Sequence, residues 1–413
     1  MDNILVIGGS LGGLLAANLL VRSGHQVRVL EKATVSLDGR GAGIVTHKPL
    51  IDALTRCGLV FDNTTAAGDA LGVAIDKRCA LAPDGAVQAE AFMPQVVTSW
   101  SRLYALLLSV LPAGAYCGSA AVVDVQQHTT GVSVTCSDGR QFDADLAVAS
   151  DGIRSSVRQL LIPDVQPVYA GYVAWRGVCD ESVLSAHTRE TIFENFGFGL
   201  SPGEQLIGYP VAGANNAVTP GSRRYNFVWY RPADMRQLNA LMTDATGQHF
   251  PLGIAPGKVA QHHIDAMRQA AHARLAPQFA EILDKTRQPF LQPIYDCATP
   301  AMAFGRVALM GDAAFVARPH VGMGVTKAAE DAMALVRAIA EHGATPAALH
   351  AFEAERLPAG LAVVQRARRL GAHLHPDFGA TSKPPSAQTV IAETAIDLSD
   401  SGVRQRLSDA LSS

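Results

Sequence analysis

The chain has 413 residues, 48% of them hydrophobic and 17% charged, with a formal net charge of −3. That length calls for two domains or one large α/β unit, and the near-neutral charge gives no basis for a nucleic-acid or anionic-membrane partner. There is no leader-like N-terminal stretch and no apolar run of about 18 residues, and Cys57, Cys79, Cys117, Cys136, Cys179 and Cys297 show neither C-x-x-C nor zinc-like spacing, so a cytoplasmic protein with reduced thiols, no membrane span and no catalytic metal is expected.

Asn3–Ile7 is a short apolar run that enters Gly8-Gly9-Ser10-Leu11-Gly12-Gly13, and a helical pattern from Leu14 to Ser23 follows, stopped by Gly24. Val27–Leu30 is a second apolar run, ending at Glu31. Strand, glycine loop, helix, strand and acid make a βαβ unit. Another glycine-rich stretch, Arg40–Ile44, precedes a helix at Pro49–Cys57, and Leu103–Leu111 reads as a buried helix. Val122–Val125 and Val132–Cys136, with turn chemistry at Ser137-Asp138-Gly139, predict a hairpin. Leu146–Ala149 is a buried strand leading into Asp151-Gly152.

From Tyr169 to Tyr230 the period becomes two and the runs turn aromatic, as in Tyr172-Val173-Ala174-Trp175, Leu206-Ile207-Gly208-Tyr209 and Tyr225–Tyr230. Such strands serve either a sandwich core or a face covering a ligand cavity. Asp265–Leu283 reads as one helix, Val307–Met310 as a strand entering Gly311-Asp312, and Lys327–His342 and Glu353–Leu374 as long helices. Arg366, Arg368 and Arg369 read as a solvated helix face. The tail from Phe378 carries little pattern, and no internal repeat is present.

Three loops carry chemistry. In the first, the dinucleotide pattern G-x-G-x-x-G is met at Gly8 and Gly13, with Ser10 where the second glycine would stand. The helix N-terminus there suits a pyrophosphate, Ser10 is small enough to let it approach, and Glu31 can accept from both hydroxyls of an unphosphorylated ribose. That points to FAD or NAD. Asp151-Gly152, with Arg154, and Gly311-Asp312, continuing through Pro319 and His320 to Gly322-Met323-Gly324-Val325, each leave a buried strand. Either aspartate alone is explained as a helix cap. Three such strand ends together imply one extended ligand, with Asp312 accepting from ribityl hydroxyls and the following helix N-terminus facing a flavin ring, hence FAD.

These elements, in this order, resemble the single-component (group A) flavoprotein aromatic hydroxylases of the p-hydroxybenzoate hydroxylase fold, over about residues 1–375. Asp151-Gly152 with Ser155 and Arg158 matches the family's DG motif, and Gly311-Asp312 with Pro319, Gly322, Gly324 and Asp331 its GD motif. Tyr169–Gly177, Arg318-Pro319-His320 and Thr98-Ser99-Trp100 resemble the branch acting on dihydroxypyridines. Thr326 and Phe315 stand where the family usually has asparagine and histidine.

The resemblance implies an α/β fold with a Rossmann-like FAD-binding domain, an inserted, mostly antiparallel β-sheet substrate domain and a helical C-terminal part. The expected division is FAD-binding domain at 1–70, 97–168 and 291–345, substrate domain at 71–96 and 169–290, and C-terminal helices and tail at 346–413. It further implies FAD contacts from Gly8, Ser10, Leu11, Gly13, Glu31, Lys32, Arg40, Gly43, Trp100, Asp151, Arg154, Gly311, Asp312, Pro319, Gly322, Met323, Gly324 and Val325. NADH or NADPH reduces the flavin, O2 is activated at flavin C4a, and a small hydroxylated aromatic or N-heteroaromatic ring is the substrate. His47, His320, Tyr209 and Tyr230 are the candidates for deprotonating it, and Arg176 either holds an anionic substrate or pairs with a surface acid. Oligomeric state stays open, a homodimer being frequent in the family. An FAD oxidase or dehydrogenase and a non-enzymatic flavin sensor are the alternatives; a flavin halogenase lacks its Trp-x-Trp-x-Ile motif and lysine here.

Overall fold

Ile4, Leu5, Val6 and Ile7 are all buried, so their strand needs cover on both faces, as a parallel sheet under helices provides. The computed structural model describes residues 1–35, 43–61, 70–251, 253–375 and 385–397. In it Asn3–Ile7 lies inside a six-stranded sheet, with Gln26–Leu30 on one side and Leu146–Ala149 on the other, both parallel to it. Val307–Leu309 and Tyr116–Cys117 continue the sheet in parallel, and Ala303–Phe304 closes one edge antiparallel. The strands ending at Gly8, Glu31, Ser150 and Met310 are therefore consecutive and open on the same edge, where ligands of α/β sheets bind. Helix Leu11–Arg22, almost wholly buried over its first nine residues, packs against the long helix Gly324–His342.

The second sheet has nine strands. Phe290–Ala298, Val168–Asp180, Arg224–Pro232, Gln205–Val211, Asn195–Gly199, Val73–Leu81 and Val87–Ser99 follow one another, with Phe315–Val316 and Gly43–Val45 at the edges. Every pairing is antiparallel except that of Asn195–Gly199 with Val73–Leu81. Period two divides its side chains into two clusters. Val173, Trp175, Leu206, Phe227 and Trp229 pack with Met267, Phe279 and Leu283 of helices Gln261–Arg274 and Pro277–Lys285. Tyr172, Ala174, Ile207, Tyr209, Val228 and Tyr230 form the opposite face, together with Leu374, Val390, Ile391 and Ala395 from later in the chain. That first face is thus a core between sheet and helices rather than between two sheets. The chain is an α/β protein with a parallel, Rossmann-like sheet, a mostly antiparallel second sheet and a helical C-terminal part.

Several local expectations need correction. The helix expected over Asp265–Leu283 is two, ending at Arg274 and restarting at Pro277, because proline favours the first turn of a helix and disfavours helical geometry in the residue before it. Ser137–Gly139 joins Val132–Cys136 to Gln141–Ala144, the third strand of a small sheet in which Val122–Gln127 is the first. The basic cluster on helix Pro346–Leu370 is not simply solvated. Arg368 grips buried Asp296 at 2.5 Å, and Arg366 donates to the Glu393 carbonyl at 2.8 Å. Among the described residues no helix is long and apolar enough to cross a membrane.

Candidate active site

A cavity of about 780 Å³ opens at the shared edge of the parallel strands. Of the anticipated residues, Gly8, Ser10, Leu11, Glu31, Lys32, Trp100, Asp151, Gly311, Asp312, Gly324 and Val325 line it. Ser10 precedes the first helical residue and its hydroxyl makes no capping bond. The first-turn N–H groups have no partner within the helix, so the positive end of the helix is presented to a ligand. Gly13 lies elsewhere, under the loop: a Cβ there would sit 1.8 Å from the Gly8 carbonyl oxygen, so only glycine lets helix and strand approach this closely.

Glu31 is 7% exposed and each of its oxygens takes one backbone amide, Oε2 from Gly9 at 2.7 Å and Oε1 from Ala33 at 2.8 Å. Each keeps lone-pair capacity for a further donor. Asp151 caps the helix that follows Ser155 from outside it with one oxygen only. Its Oδ2 accepts from the Ser156 amide at 2.8 Å, while Oδ1 is buried with no partner. Arg158, fully buried, donates to the Ala313 carbonyl at 2.8 Å and ties the Asp151 loop to the Asp312 loop. Behind Gly311, Asp331 accepts the Gly311 amide at 3.0 Å and Arg356 Nε at 2.8 Å. Asp312 lines the cavity with its side chain half exposed, opposite the Lys327 ammonium. Lys327 Nζ is buried 3.9 Å from Asp312 and has no hydrogen-bond partner.

An uncompensated acceptor at Asp151 and a free helix N-terminus at Leu11, both at this cavity, are costly inside a lone protein. With Glu31, whose oxygens keep lone-pair capacity beside the two amides they accept, they fit a long ligand with a ribose, a central pyrophosphate and further hydroxyls, as FAD is.

None of the remaining candidates in the described residues lines this cavity. Gly43 pairs in an edge strand, its amide donating to Asn226 at 3.1 Å, and a Cβ there would strike the Tyr209 ring at 2.4 Å. Arg154 is exposed. Arg154, Pro319, Gly322 and Met323 are not among the residues lining the cavity, and Arg40 falls outside the described residues. Trp100 stacks on Tyr104 at 5.0 Å.

His47 is buried and faces Thr326 Oγ1 with Nδ1 at 2.9 Å and the Ala395 carbonyl with Nε2 at 3.3 Å. A carbonyl only accepts, so Nε2 carries the hydrogen and Nδ1 accepts from Thr326. His320, also buried, faces Gln205 Oε1 at 2.8 Å with Nδ1 and Tyr172 OH at 2.9 Å with Nε2; the same logic makes Nε2 its acceptor. Desolvation lowers both histidine pKa values, that of His320 strongly. Tyr230 lies 4.2 Å from the His320 ring and Tyr209 stacks on Phe196 at 4.9 Å. Burial raises both phenol pKa values, partly opposed by Arg176. Arg176 forms no ion pair among the described residues, and its Nε is buried without a hydrogen-bond partner, so the surface acid considered for it is not found there.

Sequence reasoning missed the other walls of the cavity, Thr34, Val35 and Ala120–Val122. The Ala120 amide bonds the Glu31 carbonyl at 2.8 Å, a long-range pairing with no local signature.

Residues 2–231 and 257–367 match the FAD binding domain family, and residues 169–296 match an FAD binding domain-like family. The chain is 30% identical over 376 residues to 2,6-dihydroxypyridine 3-monooxygenase of Paenarthrobacter nicotinovorans, covering 90% of this chain and 91% of that one. It is 30% identical over 382 residues to 3-amino-4-hydroxybenzoate 2-monooxygenase of Streptomyces cremeus, covering 90% and 87%. The solved structure of 2,6-dihydroxypyridine-3-hydroxylase from Arthrobacter nicotinovorans superposes with a TM-score of 0.84 at 29% identity, covering 94% of this chain and 95% of that one. Its three strand-end loops and these matches agree: the chain belongs to the FAD binding domain family and is a flavoprotein of the aromatic-hydroxylase fold.

Proposed function

We propose that this protein is an FAD-dependent monooxygenase that hydroxylates a small, electron-rich, hydroxylated aromatic or N-heteroaromatic ring, dihydroxypyridine-like, with NADH or NADPH and O2. The observation that carries the reading is one cavity gathering Ser10, Glu31, Asp151, Asp312 and the first turn of helix Gly324–His342, in a chain whose relatives are named for such hydroxylations.

In this reading Glu31 holds the ribose, Ser10 and Leu11 the pyrophosphate, and Asp312 the ribityl chain. Gly324 and Val325 present the helix N-terminus, and Trp100 flanks the ring. Bound FAD supplies the hydride acceptor and the place where O2 is activated. The protein must orient the substrate, exclude water and take a proton from its hydroxyl. Tyr209 and Tyr230, kept protonated by burial, orient the ring by hydrogen bonding, while Arg176 stabilises the anion that forms. His47 and His320 are the members of this set able to accept a proton, and each presents its accepting nitrogen to a hydroxyl, of Thr326 or Tyr172. A substrate proton thus reaches the imidazole through that hydroxyl.

Unpaired cysteines throughout support a reducing compartment such as the cytoplasm. A homodimer, checked by light scattering, is the family-based expectation. The test of function is NADH and NADPH oxidation by the FAD-loaded protein across hydroxypyridines and hydroxybenzoates. Stimulation by one ring, with a hydroxylated product, supports the proposal. Oxidation unaffected by every ring overturns it.

A further inference from the structure

Residues 385–397 return to the interior. They carry a short helix, Ala387–Glu393, and Val390, Ile391 and Ala395 join the buried cluster of Tyr172, Tyr209 and Tyr230. The tail therefore lies on the sheet face bearing the candidate substrate residues. Ala395 is where the contacts converge. Its amide donates to the His320 carbonyl at 3.0 Å, and its carbonyl accepts from His47 at 3.3 Å. Its Cβ lies 2.5 Å from where a Cβ on Gly322 would be, and Gly322 has φ +65°. A side chain at 322 would be strained and would also expel the tail.

Arg78 holds this arrangement. It is fully buried, with no acid partner among the described residues. Its guanidinium donates to the carbonyls of Ile391 at 2.8 Å, Ala395 at 2.9 Å and Thr394, and to Gln95 at 2.5 Å. It also lies 5.0 Å from the centre of the Phe196 ring. Burying a guanidinium without a carboxylate is expensive, and here all but one of its hydrogen-bond partners are carbonyls of the tail. Sheet integrity does not call for such a residue, whereas fixing the tail against the Gly322 turn and both histidines does.

We infer that Val390–Ile396 is a wall of the substrate chamber that limits it to one-ring substrates and shields the flavin, and that Arg78 is the positioning residue locking this wall. The inference rests on the hydroxylase reading for its substrate half only. Its test compares wild-type holoenzyme with Arg78→Met, Arg78→Lys and Ile391→Ala. Iodide quenching of bound-FAD fluorescence reads the shield without turnover. The quenching constant should rise about threefold or more in Arg78→Met at unchanged FAD stoichiometry, with partial restoration in Arg78→Lys. Product formed per NAD(P)H should fall in parallel. Ile391→Ala should shift relative kcat/KM towards a hydroxyquinoline over a hydroxypyridine by about tenfold. Unchanged quenching, coupling and ring preference overturn the inference. If Arg78→Met does not fold, Ile391→Ala, which leaves the anchor intact, decides by ring preference. A wild type that no ring stimulates refutes the hydroxylase reading, and quenching then judges the wall alone.

Discussion

Glu31→Gln is the most informative perturbation of the cofactor site. Both carboxylate oxygens already accept a backbone amide, from Gly9 and Ala33, so an amide at residue 31 must turn its NH2 towards one of these donors. That leaves one nearly buried N–H unsatisfied, at about 1–3 kcal/mol, and replaces a charge-assisted bond to ribose, worth about 1.5–3 kcal/mol, with none. The first term falls on the free and loaded protein alike. The second falls on binding, and at about 1.4 kcal/mol per decade it weakens FAD roughly 10- to 100-fold. The assay is titration of apoprotein with FAD, followed by flavin fluorescence, alongside melts with and without FAD. The mutant should melt lower even as apoprotein, and FAD should raise its melting temperature less than it raises that of wild type. A dissociation constant within about twofold of wild type would refute the assignment of Glu31 to the ribose.

Gly13→Ala puts a methyl 1.8 Å from the Gly8 oxygen; the helix must retreat by roughly 1 Å, at about 1–3 kcal/mol, and the protein should purify without yellow colour while keeping its circular dichroism. Asp331→Asn breaks a buried pair with Arg356 and the tether of Gly311. It should cost about 3–5 kcal/mol, seen as a lower denaturant midpoint, whereas Glu355→Gln, on the surface, should leave the midpoint unchanged. The buried histidines make stability depend on pH. Their folded pKa values lie below the ordinary 6.5, so stability is fully present above that pH. It is lost as pH falls through the window below it, because the unfolded chain then binds more protons. Melts between pH 7.5 and 5 should show this decline, and His320→Gln should flatten it.

How much was legible depended on whether a feature is local. The βαβ unit, the three strand-end loops and the period-two aromatic strands are written in consecutive residues, and the cavity gathers eleven of the anticipated residues. What escaped was long-range pairing. Arg78 reaches the tail more than 300 residues later, His47 meets Thr326, and Arg366 meets Glu393, and none of these leaves a pattern at either end. Asp265–Leu283 misled because the apolar spacing carries across Pro277, which disfavours helical geometry in the residue before it and so separates two helices. Arg154 and Arg158 stand in one motif, and spacing alone does not say which faces inward; Arg158 is the buried one that joins two loops.

The most direct test of the central claim is turnover under 18O2 with NAD(P)H and the ring compound that best stimulates oxidation, read by mass spectrometry of the product. The account predicts one labelled oxygen per product molecule, the other oxygen leaving as water. A product with no label, or hydrogen peroxide equal to all the NAD(P)H consumed, would contradict it.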